Sequence, residues 1–235
     1  MAKEIEHSGK LSVREHFSTF IQSNRHFLLA GIAAVFVLIV GFVVVSEIRS
    51  YREQKSVTLV ESAQQQYTDW QTASAAKKKD LETKLLADLD NIIKKYPSLY
   101  SAQRALFIRG NLYYDKKEWK LAAESYVQLA HKFSQSYLAP ISLLDAGAAY
   151  EEAGDNSAAA TQYSLIAEKY GSHTPEKPLA LFSLGRLAEE KKDYSAAKTQ
   201  YDKLVNDFPG SGWTNLARDR IIYLQVKGLI PTKQS

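Results

Sequence analysis

Three glycines each begin the same spaced set of residues. Gly110 is followed by Tyr113, Ala122 and Tyr126, Gly147 by Tyr150, Ala159 and Tyr163, and Gly185 by Ala188, Ala197 and Tyr201. The offsets are +3, +12 and +16 in every copy, and the glycines stand 37 and then 38 residues apart. A period of this length marks stacked supersecondary units, each too small to bury its own apolar face alone. Between the glycine and the later alanine lie YDKKEWKLAA, YEEAGDNSAA and AEEKKDYSAA, polar stretches that end one helical pattern and begin another. The second pattern closes alike each time, at KF (132–133), KY (169–170) and DF (207–208), the last just before Pro209, which cannot continue a helix. Each unit therefore reads as two antiparallel helices. Small residues sit where the backbones cross closely, and the aromatic fills the gap between one pair and the next.

This pattern resembles the tetratricopeptide repeat, which carries Gly, Tyr, Ala and an aromatic at those offsets. Two flanking pieces extend it. Ser56 to Thr72 places Val57, Val60, Ala63, Tyr67 and Trp70 on one helical stripe, and Asp80 to Tyr96 reads as its second helix, capped by Asp80 and stopped by Pro97. After Pro209, Trp213, Leu216 and Ala217 match first-helix positions again, so Gly212 to Val226 reads as a capping helix with a polar outer face. The expected array has about three and a half repeats plus a cap.

Phe27 to Val45 reads FLLAGIAAVFVLIVGFVVV, 19 residues without a charged or hydrogen-bonding side chain. As a helix it spans about 28 Å, close to the ~30 Å hydrocarbon core of a bilayer. The expected fold class is thus all-α: a single N-terminal transmembrane helix followed by a tetratricopeptide-repeat superhelix. The expected division is a leader (1–26), the span (27–45), a juxtamembrane amphipathic helix with a linker (46–79), and repeats with their cap (80–235). Within the leader, Val13, Phe17, Phe20 and Ile21 recur at helical spacing, so 11–26 reads as an amphipathic helix or a plain juxtamembrane one. A cleaved signal peptide is the rival reading of the apolar run, but 26 residues precede it and Val44-Val45-Ser46 fits a small-x-small cleavage pattern poorly. Lys10, Arg14 and Arg25 before the span balance Arg49, Arg52 and Lys55 after it, so charge bias does not orient it. One early span ahead of a long folded domain is the usual signal-anchor layout. It places the N-terminus in the cytoplasm and the repeats outside, in an inner membrane facing a periplasm or its equivalent.

The chemistry of an enzyme is missing from the sequence. There is no Gly-rich phosphate loop, no H-E-x-x-H and no Ser elbow. The five histidines show no ligand spacing, and the absence of cysteine removes disulfides, thiolate metal sites and lipid-modified cysteine. The small net charge of +4 is spread along the chain and does not suggest nucleic-acid binding. No cofactor is expected. The repeat register instead places Arg104, Phe107, Asn111 and Tyr114 on the concave face from the first clear repeat, Ile141, Leu144, Ala148 and Glu151 from the second, and Leu179, Phe182, Arg186 and Glu189 from the third. Such faces bind extended peptides or partner helices, although the apolar members could equally be packed core. Glu151-Glu152 and Glu189-Glu190 read mainly as solvated helix ends, with groove charges as the alternative. The carboxylate clamp of chaperone-binding repeats needs a Lys where Phe107 stands, and only Asn111 fits that pattern.

In its layout the whole chain resembles the YfgM-like family, the ancillary subunits of the SecYEG translocon, which have a short cytoplasmic leader, one span and an exported repeat domain. The resemblance implies a membrane-anchored adaptor for translocon subunits, exported chains or an envelope chaperone. The alternative is an envelope scaffold that organises cell-wall, division or outer-membrane assembly complexes.

Overall fold

The computed structural model describes residues 13–231, and among these every regular element is an α-helix. In chain order they are α1 (Val13–Thr72), α2 (Ala75–Lys95), α3 (Tyr100–Asp115), α4 (Trp119–Lys132), α5 (Leu138–Glu152), α6 (Asn156–Lys169), α7 (Lys177–Glu190), α8 (Tyr194–Asp207) and α9 (Gly212–Val226). The chain divides after Gln54 into two units.

The first unit is the early part of α1. Every side chain from Phe27 to Val45 is exposed, so nothing in the protein covers this apolar stretch. It is one helix long and apolar enough to cross a membrane. Residues 1–12, just under half of the leader, lie outside the described residues. From Val13 on the leader is already helix, and Phe17, Phe20 and Ile21 are exposed. Helix α1 runs on to Thr72 without interruption. No Gly or Pro stands between Ser46 and Thr72, so nothing there ends a helix.

In the second unit the end of α1 packs on α2. Val60, Ala63, Tyr67 and Trp70 meet Leu85, Leu89 and Ile92 in one buried cluster that Ala105, Ile108 and Leu112 of α3 complete. Helix α2 begins at Ala75, earlier than the expected start at Asp80, which lies inside it. Extended Ser74 starts the helix, and Ala75, Ala76 and the lysines after them are good helix formers, so the expected linker shrinks to a turn at residues 73–74.

Then come three helix pairs, α3/α4, α5/α6 and α7/α8. In each, the second-helix tyrosine lies flat against the first-helix glycine. A Cβ built on Gly110, Gly147 or Gly185 would fall inside 3.0 Å of the ring of Tyr126, Tyr163 or Tyr201. That contact explains the +16 offset. Each first helix ends on a left-handed residue, Lys117 (φ 61), Gly154 (φ 76) or Lys192 (φ 61). The next N–H then returns to the helix, from Glu118 to Tyr113 O (2.9 Å), Asp155 to Tyr150 O (2.8 Å) and Asp193 to Ala188 O (2.9 Å). This is the Schellman closure. Two lysines adopt it where glycine would be easier, so the turn is invisible to a search for glycine. Asp155 and Asp193 then cap α6 and α8 by accepting from the backbone N–H of Ala158 and Ala196.

Helix α9 buries Thr214, Ala217 and Leu224 against the last pair. Its outer face is not polar, as a cap was expected to be. Leu216, Ile222 (56% exposed), Tyr223 and Val226 (80% exposed) stand in solvent. The period of the apolar residues wraps further round α9 than one packing face requires.

Candidate protein-interaction face

First helices of neighbouring pairs touch directly, α3 with α5 and α7 with α9. They form the inner layer of the array, and the expected concave residues lie on them. All ten of the site residues named from the sequence, Arg104, Phe107, Asn111, Tyr114, Ile141, Leu144, Glu151, Phe182, Arg186 and Glu189, are partly buried. None is sealed in the core and none stands fully in solvent.

The apolar members lean on the repeat aromatics. Phe107 packs against Tyr126 with ring centroids 5.7 Å apart, and Tyr114 meets the ring of Trp119 edge-on at 4.8 Å. Phe182 lies between Tyr201 (5.7 Å) and Trp213 (5.3 Å). Ile141 packs against the cluster of Leu106, Leu129 and Leu138, while Leu144 packs against the one around Tyr163 and Ile166. Ile141 also lines a cleft of about 620 Å³ between the α4–α5 and α6–α7 connections, with Ser136, Tyr137, Tyr170 and His173. These connections, 133–137 and 170–176, are longer than the turns within each pair.

The polar members form a ladder between successive pairs. The Tyr163 hydroxyl donates to Glu151 Oε1 (2.7 Å), and Glu151 pairs with Arg186 of the next first helix (2.5 Å), which also reaches Glu190 (2.9 Å). One junction later the Tyr201 hydroxyl donates to Glu189 Oε1 (2.7 Å), and Glu189 pairs with Arg220 of α9. The carboxylates are thus not solvated helix ends. The Glu151 and Glu189 side chains are only 20% and 11% exposed, because repeat stacking brings a guanidinium from the following helix over them. Burial opposes the charge on Glu189, but hydrogen bonds from Arg220 and Tyr201 hold its carboxyl below the usual range. Burial first, then the Glu151 and Glu189 carboxylates, push the Tyr163 and Tyr201 hydroxyls up, so both remain donors. Arg220 was not picked out from the sequence. Its signal was a basic residue on the helix after Glu189, as Arg186 is after Glu151.

Removing Glu151 tests the ladder. In Glu151→Ala the buried Tyr163 hydroxyl and Arg186 lose their shared acceptor. Arg186 keeps Glu190, but leaving the hydroxyl unpaired costs about 1–2 kcal/mol, and the loss is read from thermal unfolding of the full chain in detergent micelles.

The junction between the first two clear pairs is built differently. Tyr114 stands where the later junctions have Glu151 and Glu189, and Ala148 stands where the next one has Arg186. The Tyr126 hydroxyl donates to Asn111 Oδ1 at 2.6 Å instead. Beside it lies Asp145, at the position held by Ile108 and Ser183 in the flanking repeats. Burial, then the nearby Glu176 carboxylate, push Asp145 up to about 6. It is the acid with the strongest environmental penalty on this face, and sequence reasoning passed over it. Arg104 donates to Gln64 Oε1 of α1 (3.1 Å) at the far edge of the array.

Among the described residues there is no group of three or more His, Asp or Glu side chains placed to hold a metal ion. The family model described as Tetratricopeptide repeat matches residues 144–212. No curated protein and no solved structure matches the chain. The matched segment runs from Leu144 on α5 to the start of α9, so it takes in Gly147, Gly185 and the Glu151–Arg186 junction. Residues 144–212 therefore match tetratricopeptide repeats, in a chain whose α1 is long and apolar enough to cross a membrane. Such repeats are a non-catalytic scaffold for protein–protein interaction.

Proposed function

We propose that this protein is a single-span membrane adaptor whose inner repeat face binds a protein partner at the export translocon, an exported chain or an envelope chaperone. The observation that carries the reading is the row of half-buried apolar side chains, Phe107, Tyr114, Leu144 and Phe182, along touching first helices. Half-buried aromatics are already ordered by their neighbours, so a partner that covers them gains apolar burial at little further entropy cost. The segment 27–45 serves as the anchor in a cell inner membrane, with the N-terminus cytoplasmic and the repeats outside. Only about ten residues separate the span from the start of the repeat unit, a tether that raises the effective concentration of a membrane-embedded partner to the order of millimolar. The link to the translocon rests on the layout of leader, span and repeats.

The test is a crosslinking map in cells. A photo-reactive residue at position 114 or 144 is expected to capture translocon subunits or exported chains, whereas one at Glu124 or Lys203, exposed on second helices, is not. Equal capture from both faces would overturn inner-face binding. Capture of cell-wall or division proteins instead would favour the envelope-scaffold reading, which gains support from the exposed apolar side chains of α9.

A further inference from the structure

The inner face is a ladder with one missing rung. Around the Tyr163 hydroxyl stand Glu151, Ser183 and Arg186. The equivalent places around the Tyr126 hydroxyl hold Tyr114, Asp145 and Ala148. A carboxylate is present at both junctions, supplied by the earlier helix in one and the later helix in the other. The guanidinium is present only in the second. At the first junction Ala148 stops at its methyl where Arg186 stands one repeat later.

Asp145 is left without a counter-charge. Among the described residues no hydrogen bond or ion pair reaches its carboxylate. The charged groups that act on this spot are all acidic: Glu176 from the α6–α7 connection on Asp145 itself, Glu152 of α5 on the neighbouring Tyr114, and Asp115 at the end of α3 on Tyr126. The arginines of this face are committed elsewhere. Arg186 is held by Glu151 and Glu190, and Arg220 by Glu189. Arg104 donates to Gln64 and does not act on Asp145. The uncompensated charge on the face is therefore negative, and it is set among Tyr114, Ile141 and Leu144.

Resting on the reading of the inner face as the binding face, we infer that the occupant is a basic, apolar protein segment whose Arg or Lys side chain enters beside Ala148 and pairs with Asp145. The partner would supply the cation that the protein supplies itself at the two later junctions. A fork of N–H donors can reach both the Asp145 carboxylate and the Tyr126 hydroxyl oxygen, while apolar neighbours in the segment cover Phe107 and Leu144.

The experiment uses the full chain in nanodiscs of zwitterionic lipid, with empty discs as the blank. The probes are two dye-labelled peptides, acetylated and amidated, one alternating Leu with Arg and the other Leu with Glu. The Leu–Arg peptide is expected to bind at least tenfold more tightly, and Asp145→Asn to lose about tenfold of that affinity. Ala148→Arg places a cation inside the protein and is expected to block the site to a similar degree. Glu168→Gln, an exposed change on α6, is expected to leave binding unaltered. Equal or tighter binding of the Leu–Glu peptide overturns the inference, as does Leu–Arg binding that ignores both Asp145→Asn and Ala148→Arg, and so does binding of neither peptide. If any of these results comes while positions 114 and 144 still crosslink partners, only the basic occupant falls. If those positions capture nothing, the inner-face reading falls with it.

Discussion

Replacing Gly147 by Leu is expected to destabilise the repeat unit by about 2–3 kcal/mol, net of the roughly 1 kcal/mol that leaving glycine in a helix returns. The new side chain begins inside the edge of the Tyr163 ring. That ring cannot swing away cheaply. It is 3% exposed, packed with Ala159 and Ile166, and tied through its hydroxyl to Glu151 and so to Arg186. Either the helix crossing opens or the ladder breaks. Because repeats contact mainly their neighbours, the loss should appear first as early melting of α5 to α8, with protection of amide hydrogens falling there before it falls in α2 and α3. Gly171→Ala is the matched control, since nothing lies within 4 Å of a Cβ at that position. A second readout isolates the contact. In the Gly147→Leu/Tyr163→Leu double variant the clash is gone, so the two costs should fall short of additive by more than 1 kcal/mol. A neutral Gly147→Leu would mean that the glycine does not mark the crossing, and the repeat register would be wrong.

That register was legible because it depends on sterics that leave few residue choices. A backbone crossing closed by a ring admits glycine on one side and an aromatic on the other, and Gly110, Gly147 and Gly185 with their tyrosines show it without any structure. The long apolar run was legible for a similar reason, since 19 residues without a polar side chain have few places to go. Helix ends were read less well. Lys117 and Lys192 turn the chain with positive φ where glycine does so at Gly154, and the start of α2 at Ala75 carries no side-chain cap. The ladder was hidden because its partners lie 35 and 31 residues apart, a spacing fixed by how one pair stacks on the next. Glu151 and Glu189 therefore looked like ordinary acidic helix ends. Asp145 was hidden for the opposite reason. Its meaning comes from the arginine absent at Ala148, and a missing partner shows only when equivalent positions are compared in space.

Asparagine in place of Asp145 is expected to stabilise the protein at pH 8, by about 2–3 kcal/mol, and to do little at pH 4. The carboxyl is pushed up to about 6 from an ordinary value of 3.8, burial being the main cause and Glu176 the second. For an acid raised in this way the folded state holds a proton that the unfolded chain releases. The penalty is absent below the unfolded value of 3.8, grows between there and about 6, and is complete above 6. A window of that width corresponds to about 3 kcal/mol, an upper figure because the group is only partly buried. The neutral amide removes the penalty, so the two proteins should differ most at pH 8 and converge as pH falls through that window. Glu189 and Asp88, whose carboxyls sit below their usual range, lose stability on acidification, but they do so in both proteins and cancel in the difference. Urea titrations of the full chain in micelles at pH 8, 6 and 4 read it directly. If the variant were less stable than wild type at pH 8, Asp145 would have a partner in the folded protein and the missing rung would already be filled. If it is more stable there yet binds the Leu–Arg peptide less well, one side chain weakens the fold and strengthens binding. A group kept only for packing cannot do both, so that pair of results would assign Asp145 to the partner.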